Sequence, residues 1–131
     1  MKKIISLLLA IAMMLSVAPV FAADAEAVLR VQALGIIQGD ENGMRLEDNI
    51  TRAEFSAIIC RLAGISNPNG MKQSFADVDE NHWANGYIST AVSLGIVNGM
   101  GDGTFAPKAT VTRAQSAKVV YGLLELLGGG K

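Results

Sequence analysis

Two short stretches, Ile50–Glu54 (ITRAE) and Val111–Gln115 (VTRAQ), lie 61 residues apart and decide the fold. A second pair, Leu34–Gly39 (LGIIQG) and Leu94–Gly99 (LGIVNG), lies 60 residues apart. Two ordered motifs that recur at nearly constant spacing indicate that one structural unit was duplicated. The difference of one residue places a single insertion or deletion in the loop between the motifs.

Each repeat is predicted to form a helix, a loop and a second helix. The opening helix spans about 24–34 in repeat 1 and about 83–94 in repeat 2, where apolar residues recur at intervals of three and four. Gly35 and Gly95 follow these helices, at the position where a left-handed C-terminal cap favours glycine. The loops that come next are rich in Gly, Asp and Asn, which are turn-forming residues.

The second helix of each repeat is predicted to begin after a threonine, Thr51 or Thr112. Glu54 and Gln115 follow three residues later, and this spacing is typical of a capping box, in which each side chain accepts the other residue's amide. Apolar stripes follow, which we assign to the core rather than to a cofactor site. They comprise Phe55, Ile58, Ile59 and Leu62 in repeat 1, and Ser116, Val119, Val120 and Leu123 in repeat 2.

The N-terminus has the layout of a secretory signal peptide. Lys2 and Lys3 precede an apolar run at 4–17 and the small-residue pattern Val20–Ala22. Because the run is shorter than the roughly 20 residues that span a bilayer, cleavage after Ala22 is predicted rather than a membrane anchor. The protein is therefore expected to be secreted.

The predicted organisation has five parts. They are a signal peptide at 1–22, repeat 1 at 23–66, an inter-repeat joint at 67–72, repeat 2 at 73–127 and a disordered tail at 128–131.

Charge and cysteine content exclude several classes of protein. Without Lys2 and Lys3, the 11 basic residues of the chain fall to 9 against 12 acidic ones, so no basic surface for nucleic acid or anionic lipid is expected. Cys60 is the only cysteine and cannot form an internal disulfide. It is predicted to be a small buried core residue rather than a nucleophile.

The motifs of repeat 2 together resemble the S-layer-homology family. They are Phe75–Val78 (FADV), His82–Ala84 (HWA), Leu94–Gly99, Gly101–Pro107 (GDGTFAP) and Val111–Gln115. Repeat 1 matches less completely, because it lacks the FADV and HWA opening. In its loop, Met44 stands where Phe105 stands, and Leu46 stands where Pro107 stands.

The resemblance implies an all-α protein in which three such repeats form a bundle with pseudo-three-fold symmetry. It also implies a non-catalytic anchoring function at the cell wall or surface of a bacterium, since grooves between the repeats bind a secondary cell-wall polysaccharide that often carries a pyruvate ketal. The arginine of the family motif is the main ligand contact, which corresponds to Arg52 and Arg113 here. This sequence has two repeats, so it is expected to oligomerise, to bind weakly or to be part of a larger protein.

The chemistry of the two arginines supports a ligand site independently. An arginine at the first position of a helix is mildly unfavourable, because the helix dipole is positive there. Its recurrence in both repeats indicates an anionic partner such as a pyruvyl carboxylate, which a guanidinium and free helix amides would bind. The alternative is an intramolecular salt bridge with Asp48, Glu54, Asp77 or Asp79, and both interpretations stay open.

Other candidates for the polysaccharide site are single aromatic, polar or glycine residues. Trp83 either stacks on a sugar ring or packs in the core, and His82 beside it is expected to cap a turn rather than to bind metal. The complete predicted ligand-binding set is Arg52, Arg113, Trp83, Asp77, Thr51, Thr112, Gly101 and Gly103. No catalytic residue, metal ligand or cofactor is predicted.

Glycan anchoring has three alternatives. An enzyme is disfavoured, because no two carboxylates share a helix face. An EF-hand calcium loop starting at Asp77 fails, because His82 stands at its sixth position and Ile88 at its twelfth. The third alternative is a protein-interaction module, in which the unpaired repeat edge docks on another copy or on another chain with the same repeats.

Overall fold

The structure is a computed structural model that describes residues 25–68 and 74–128. It contains four helices in these ranges: α1 at 25–33, α2 at Arg52–Leu62, α3 at Asn85–Ser93 and α4 at Arg113–Leu126. The same ranges contain no strand, only isolated β-bridges. The prediction of an all-α protein is confirmed.

The chain divides into two compact units, residues 1–38 and 39–131. Helix α1 lies in the first unit, and the other three helices lie in the second. The predicted signal peptide at 1–22, most of the predicted joint at 67–72 and the tail at 129–131 fall outside the described residues. No helix in the described part of the chain is long and apolar enough to cross a membrane.

Both predicted capping boxes are present at the starts of α2 and α4. The Thr51 hydroxyl accepts from the Glu54 amide at 3.2 Å, and the Glu54 carboxylate accepts from the Thr51 amide at 2.8 Å. The corresponding distances between Thr112 and Gln115 are 3.2 and 3.1 Å. These bonds satisfy amides that a helix start otherwise leaves unpaired, so the sequence defines both starts locally.

The predicted glycine caps also form. Gly35 and Gly95 adopt φ values of 68° and 70°, in the left-handed region that favours glycine. After α3, the Ile96 amide donates to the Ala91 carbonyl at 3.0 Å, which closes the helix end.

Helix α3 begins at Asn85, two residues later than predicted. A turn precedes it, in which His82 Nδ1 accepts from the Ala84 amide at 3.1 Å. Trp83 therefore lies before the helix and is 57% exposed, so the alternative that it packs in the core is wrong. The predicted capping role of His82 is confirmed.

The core of the second unit forms where α2 of repeat 1 packs against α3 of repeat 2. Its largest fully buried side chains include Phe105, Ile88, Ile96 and Cys60. The thiol of Cys60 lies 3.5 Å from the Tyr87 carbonyl, and burial raises its pKa to about 11. Because a thiol with this pKa stays protonated at neutral pH, the prediction of a core cysteine is confirmed.

The equivalent helices α2 and α4 differ in burial. Six residues of α2 are buried, whereas Val119 is the one buried residue of α4. Val120, which was predicted to be core, is 50% exposed, while its counterpart Ile59 is 3% exposed. Helix α2 has α3 of repeat 2 packed along it, which accounts for its greater burial.

Candidate functional site

The first turn of α2 is covered by the loop of repeat 2. The Arg52 amide donates to the Ala109 carbonyl at 2.8 Å, and the Ala53 amide donates to the Pro107 carbonyl at 3.0 Å. Thr51 also forms a β-bridge with Thr110. Since the threonine hydroxyl occupies the third amide, this helix start retains no free donor for an anion.

The Arg52 side chain points inward and is 8% exposed. Its Nε donates to the Phe105 carbonyl at 2.8 Å, and Nη2 donates to the Asn98 carbonyl at 2.7 Å. The guanidinium carbon lies 4.5 Å from the centre of the Phe105 ring. Burial lowers the pKa of Arg52, and the nearby Asp77 carboxylate opposes this shift. The guanidinium therefore holds the backbone of the next repeat.

Asp77 binds the same loop from its other side. Its two carboxylate oxygens accept from the amides of Phe105 and Ala106 at 2.8 and 2.7 Å. Ala106 has a φ of 56°, a left-handed conformation that is strained for a residue with a Cβ. Asp77 and Arg52 thus bind the N–H and the C=O of Phe105, and together they fix an otherwise unfavourable turn.

The glycines of the repeat 2 loop shape a tight, exposed turn. Gly101 and Gly103 have φ values of 91° and 86°. Between them, Asp102 accepts from the Thr104 amide and hydroxyl at 2.9 and 2.6 Å, and these bonds lower the pKa of Asp102. At Gly99, a Cβ would lie 2.6 Å from the Phe75 ring, so the backbone passes the core here without room for a side chain.

Arg113 occupies the position equivalent to Arg52 but has a different environment. Its side chain is exposed, and no carboxylate or carbonyl among the described residues pairs with it. The amides of Arg113 and Ala114 have no hydrogen-bond acceptor in the same part of the chain. The start of α4 thus combines an exposed guanidinium with two available helix amides.

The aromatic candidate lies on the surface. Trp83 stacks on the His82 ring, with ring centres 5.9 Å apart and planes inclined by 28°. This contact orients the indole, while more than half of the residue remains exposed. An oriented, exposed indole offers a flat face to the C–H surface of a sugar ring.

Arg45 organises the loop of repeat 1, and the sequence analysis missed it. Its guanidinium binds Asp40 at 2.9 Å, Asp48 at 3.4 Å and the Glu54 carboxylate of the capping box. Like Ala106 in repeat 2, Arg45 has a left-handed backbone, with a φ of 45°. The sequence shows one arginine among several acidic residues. This pattern does not identify which of the carboxylates the arginine binds.

A Glu54→Gln substitution should remove the acid sensitivity of this network but keep the capping box, as Gln115 does in repeat 2. Burial acts to raise the pKa of Glu54, but hydrogen bonds from Thr51 and Arg45 outweigh it and hold that pKa below its usual value. The ionised form therefore stabilises the fold above the unfolded-state pKa, and this contribution is lost as pH falls through the folded-state pKa.

Urea unfolding between pH 7 and pH 3 measures the free energy of unfolding of both chains. The wild type should be the more stable chain at pH 7, and its difference from Glu54→Gln should shrink as the pH falls. A Glu47→Gln variant removes an exposed carboxylate of the same loop and serves as the control. A constant difference between wild type and Glu54→Gln across this range would contradict the assigned role of Glu54.

The structure brings together only part of the predicted ligand-binding set. Arg52, Asp77 and Thr51 meet the loop that carries Gly101 and Gly103. Arg113 and Thr112 lie at the start of α4, and Trp83 lies before α3. Among the described residues, no hydrogen bond or ion pair joins these three to the first group.

The chain matches the model of the S-layer homology domain at residues 20–56 and 74–117. Each matched segment includes the arginine motif of one repeat, and the first segment begins at residue 20, three residues before the predicted start of repeat 1. The predicted family resemblance is confirmed.

Several bacterial proteins are similar to most of this chain. An exoglucanase, XynX, from Acetivibrio thermocellus is 40% identical over 77% of it. The middle cell wall protein of Brevibacillus brevis is 32% identical over 92%, and a cellulosome-anchoring protein of A. thermocellus is 40% identical over 63%. The chain spans only 10%, 13% and 19% of these three relatives, respectively.

The relatives include cell-wall and surface-layer proteins, which confirms the prediction of a secreted protein associated with the cell wall. The family assignment rests on three observations, which are the duplicated capping boxes, the glycine caps and the two matched segments. On these grounds, the chain belongs to the S-layer homology domain family, whose modules anchor proteins at the cell surface.

Proposed function

We propose that this chain is a non-catalytic anchoring module that binds a secondary cell-wall polysaccharide carrying acidic groups, such as pyruvate ketals. The family and the cellulosome-anchoring relative support an anchoring role. The chain uses no cofactor in this proposal, because anchoring requires binding alone.

The exposed start of α4 is the observation that carries the proposal. There the Arg113 guanidinium and two available amides face solvent, while Thr112 caps the third amide. A carboxylate at this point would accept from the planar guanidinium and would also be stabilised by the positive end of the helix. Such a contact contributes about 1.5–3 kcal/mol, so binding through one site is weak and gains from several sugar units.

The remaining candidates have supporting roles in this proposal. Trp83 stacks on a sugar ring, and the backbone at Gly101 and Gly103 allows a close approach of the glycan. Arg52, Asp77 and Thr51 keep the loop in shape from within, because their polar groups are already used by the protein.

Removal of pyruvate from the wall polymer tests the proposed chemistry. The purified chain should pellet with sacculi that carry the polymer and should leave the polymer uncleaved. Mild acid hydrolysis of the ketals should release most of the protein, because the carboxylates are lost. Sacculi taken through the same treatment at neutral pH are the control. Equal pelleting on both preparations would overturn the assignment of an acidic ligand.

A second candidate function, protein interaction, is favoured by the apolar surface of α4. Val120, Tyr121 and Leu124 are 50%, 64% and 49% exposed. Such a face would suit another copy of the chain, or another chain with these repeats, that completes the three-fold bundle typical of the family.

A further inference from the structure

The chain contains four Asn–Gly pairs, in which a side-chain amide is followed by a backbone nitrogen that no Cβ shields. They are Asn42–Gly43, Asn69–Gly70, Asn85–Gly86 and Asn98–Gly99, and the second of them lies outside the described residues. We propose that Asn98 is the site of a spontaneous chemical modification, deamidation to aspartate and isoaspartate. The inference goes beyond the anchoring function and does not depend on it.

The reaction requires no partner other than water. The Gly99 backbone nitrogen gives up its proton and bonds to Cγ of Asn98, and the bond from Cγ to the side-chain nitrogen breaks, so that this nitrogen leaves as ammonia. Water then opens the cyclic imide at one of its two carbonyls, which gives aspartate or isoaspartate. Between the attack and the loss of ammonia, the side-chain oxygen of Asn98 carries a negative charge.

The Lys118 ammonium group is positioned to stabilise that negative charge. The Asn98 side chain is oriented by hydrogen bonds at both ends of its amide. Nδ2 donates to the Val97 carbonyl at 3.1 Å, and Oδ1 accepts from Lys118 Nζ at 2.5 Å. Such a contact strengthens as charge develops on the oxygen, and a donor that is already in place lowers the barrier in this way.

The Arg52 guanidinium acts on the attacking nitrogen. Its Nη2 donates to the Asn98 carbonyl at 2.7 Å, and this carbonyl belongs to the same peptide group as the Gly99 nitrogen. A cation on the carbonyl oxygen draws electron density from the peptide group, so the Gly99 amide loses its proton more easily. No acceptor among the described residues holds that proton, and Asn98 is exposed, so hydroxide from the solvent removes it.

The other two described pairs have less favourable surroundings. The Gly43 amide donates to the Asp40 carbonyl at 3.0 Å, which retains the proton that the reaction must remove. Asn85 is the first residue of α3, and its Nδ2 donates to the Asp79 carbonyl at 3.2 Å. The helical backbone there restricts the rotation that would bring the next nitrogen to the side chain.

Peptide mapping by mass spectrometry after incubation of the purified chain at mildly alkaline pH tests the proposal. Asn42 is the internal control, because both asparagines are followed by Gly and Met. Deamidation of the folded chain should be about three- to tenfold faster at Asn98 than at Asn42. In urea the two rates should become similar, because the contacts to Lys118 and Arg52 are lost.

Variants of Lys118 and Asn98 identify the cause of the fast reaction. Lys118→Met should slow deamidation at Asn98 about three- to tenfold, whereas Lys118→Arg, which retains a cation, should react nearly as the wild type does. Lys108→Met removes the same charge from an exposed residue and is the matched control. Asn98→Gln, which introduces the residue type of Gln38 in repeat 1, should abolish the fast site because a longer side chain must close a larger ring.

Two results would overturn the proposal. One is an equal rate at Asn98 and Asn42 in the folded wild type, a comparison that does not require any variant to fold. The other is a rate at Asn98 that is the same in Lys118→Met and the wild type, measured on chains with the same helical circular dichroism.

Discussion

An Arg52→Ala variant is expected to lose about 3 kcal/mol of its free energy of unfolding. The substitution leaves the buried Phe105 carbonyl without its donor, and an unsatisfied buried polar group costs roughly 1–3 kcal/mol. The hydrogen bond to the Asn98 carbonyl, which is only partly buried, is lost as well. It also removes the guanidinium from the face of the Phe105 ring. Urea unfolding followed by circular dichroism at neutral pH measures this loss.

Two variants sharpen the interpretation of that experiment. Arg113→Ala removes the equivalent exposed residue and should change stability by no more than about 0.5 kcal/mol. Arg52→Lys should recover only part of the lost stability, because an ammonium group lacks the planar fork that reaches both carbonyls. Similar losses for Arg52→Ala and Arg113→Ala would show that Arg52 does not hold the loop.

For binding to the wall polymer, we expect the loss of Arg113 to have a larger effect than the loss of Arg52, which is the reverse of their effects on stability. Arg113→Ala should weaken co-sedimentation with polymer-bearing sacculi by roughly ten- to a hundredfold, which corresponds to the loss of one charge-assisted contact. The fold should be retained, because the Arg113 side chain has no partner among the described residues. Titration of a fixed protein concentration with sacculi gives the apparent affinity.

Arg30→Ala is the matched control for charge. Arg30 is an exposed arginine of α1 that pairs with Glu26 on the helix surface, so its removal causes the same change in net charge. It should bind sacculi almost as the wild type does. If both variants lost affinity equally, the attraction would come from overall charge, and the proposed site at α4 would be wrong.

The features that could be predicted from the sequence are those determined by neighbouring residues. Thr51 and Glu54 are three residues apart, and their capping box forms as predicted. Gly35 and Gly95 adopt the expected left-handed conformation, because each directly follows the end of a helix. Such contacts depend on a few adjacent side chains, so local spacing is enough to identify them.

The environment of each arginine could not be predicted in this way. Arg52 and Arg113 share the same motif, yet one is buried and the other exposed. The acceptors of Arg52 are backbone carbonyls 46 and 53 residues away, and a carbonyl has no signature in the sequence. Carboxylates were the expected salt-bridge partners of Arg52, whereas its acceptors are backbone carbonyls. Trp83 was similarly ambiguous, because a turn held by His82 removes it from the helix face.

The attachment of α2 to the following loop has a consequence for how the protein can be divided. The compact unit begins at Gly39, in the middle of the first sequence repeat, and α2 is completed by residues after position 97. A cut at 67–72, where the duplication suggests a boundary, would strip α2 of the carbonyls that receive its first amides. The boundaries of the duplicated unit and of the compact unit therefore differ, and fragments for expression should keep α2 together with the loop at 97–110.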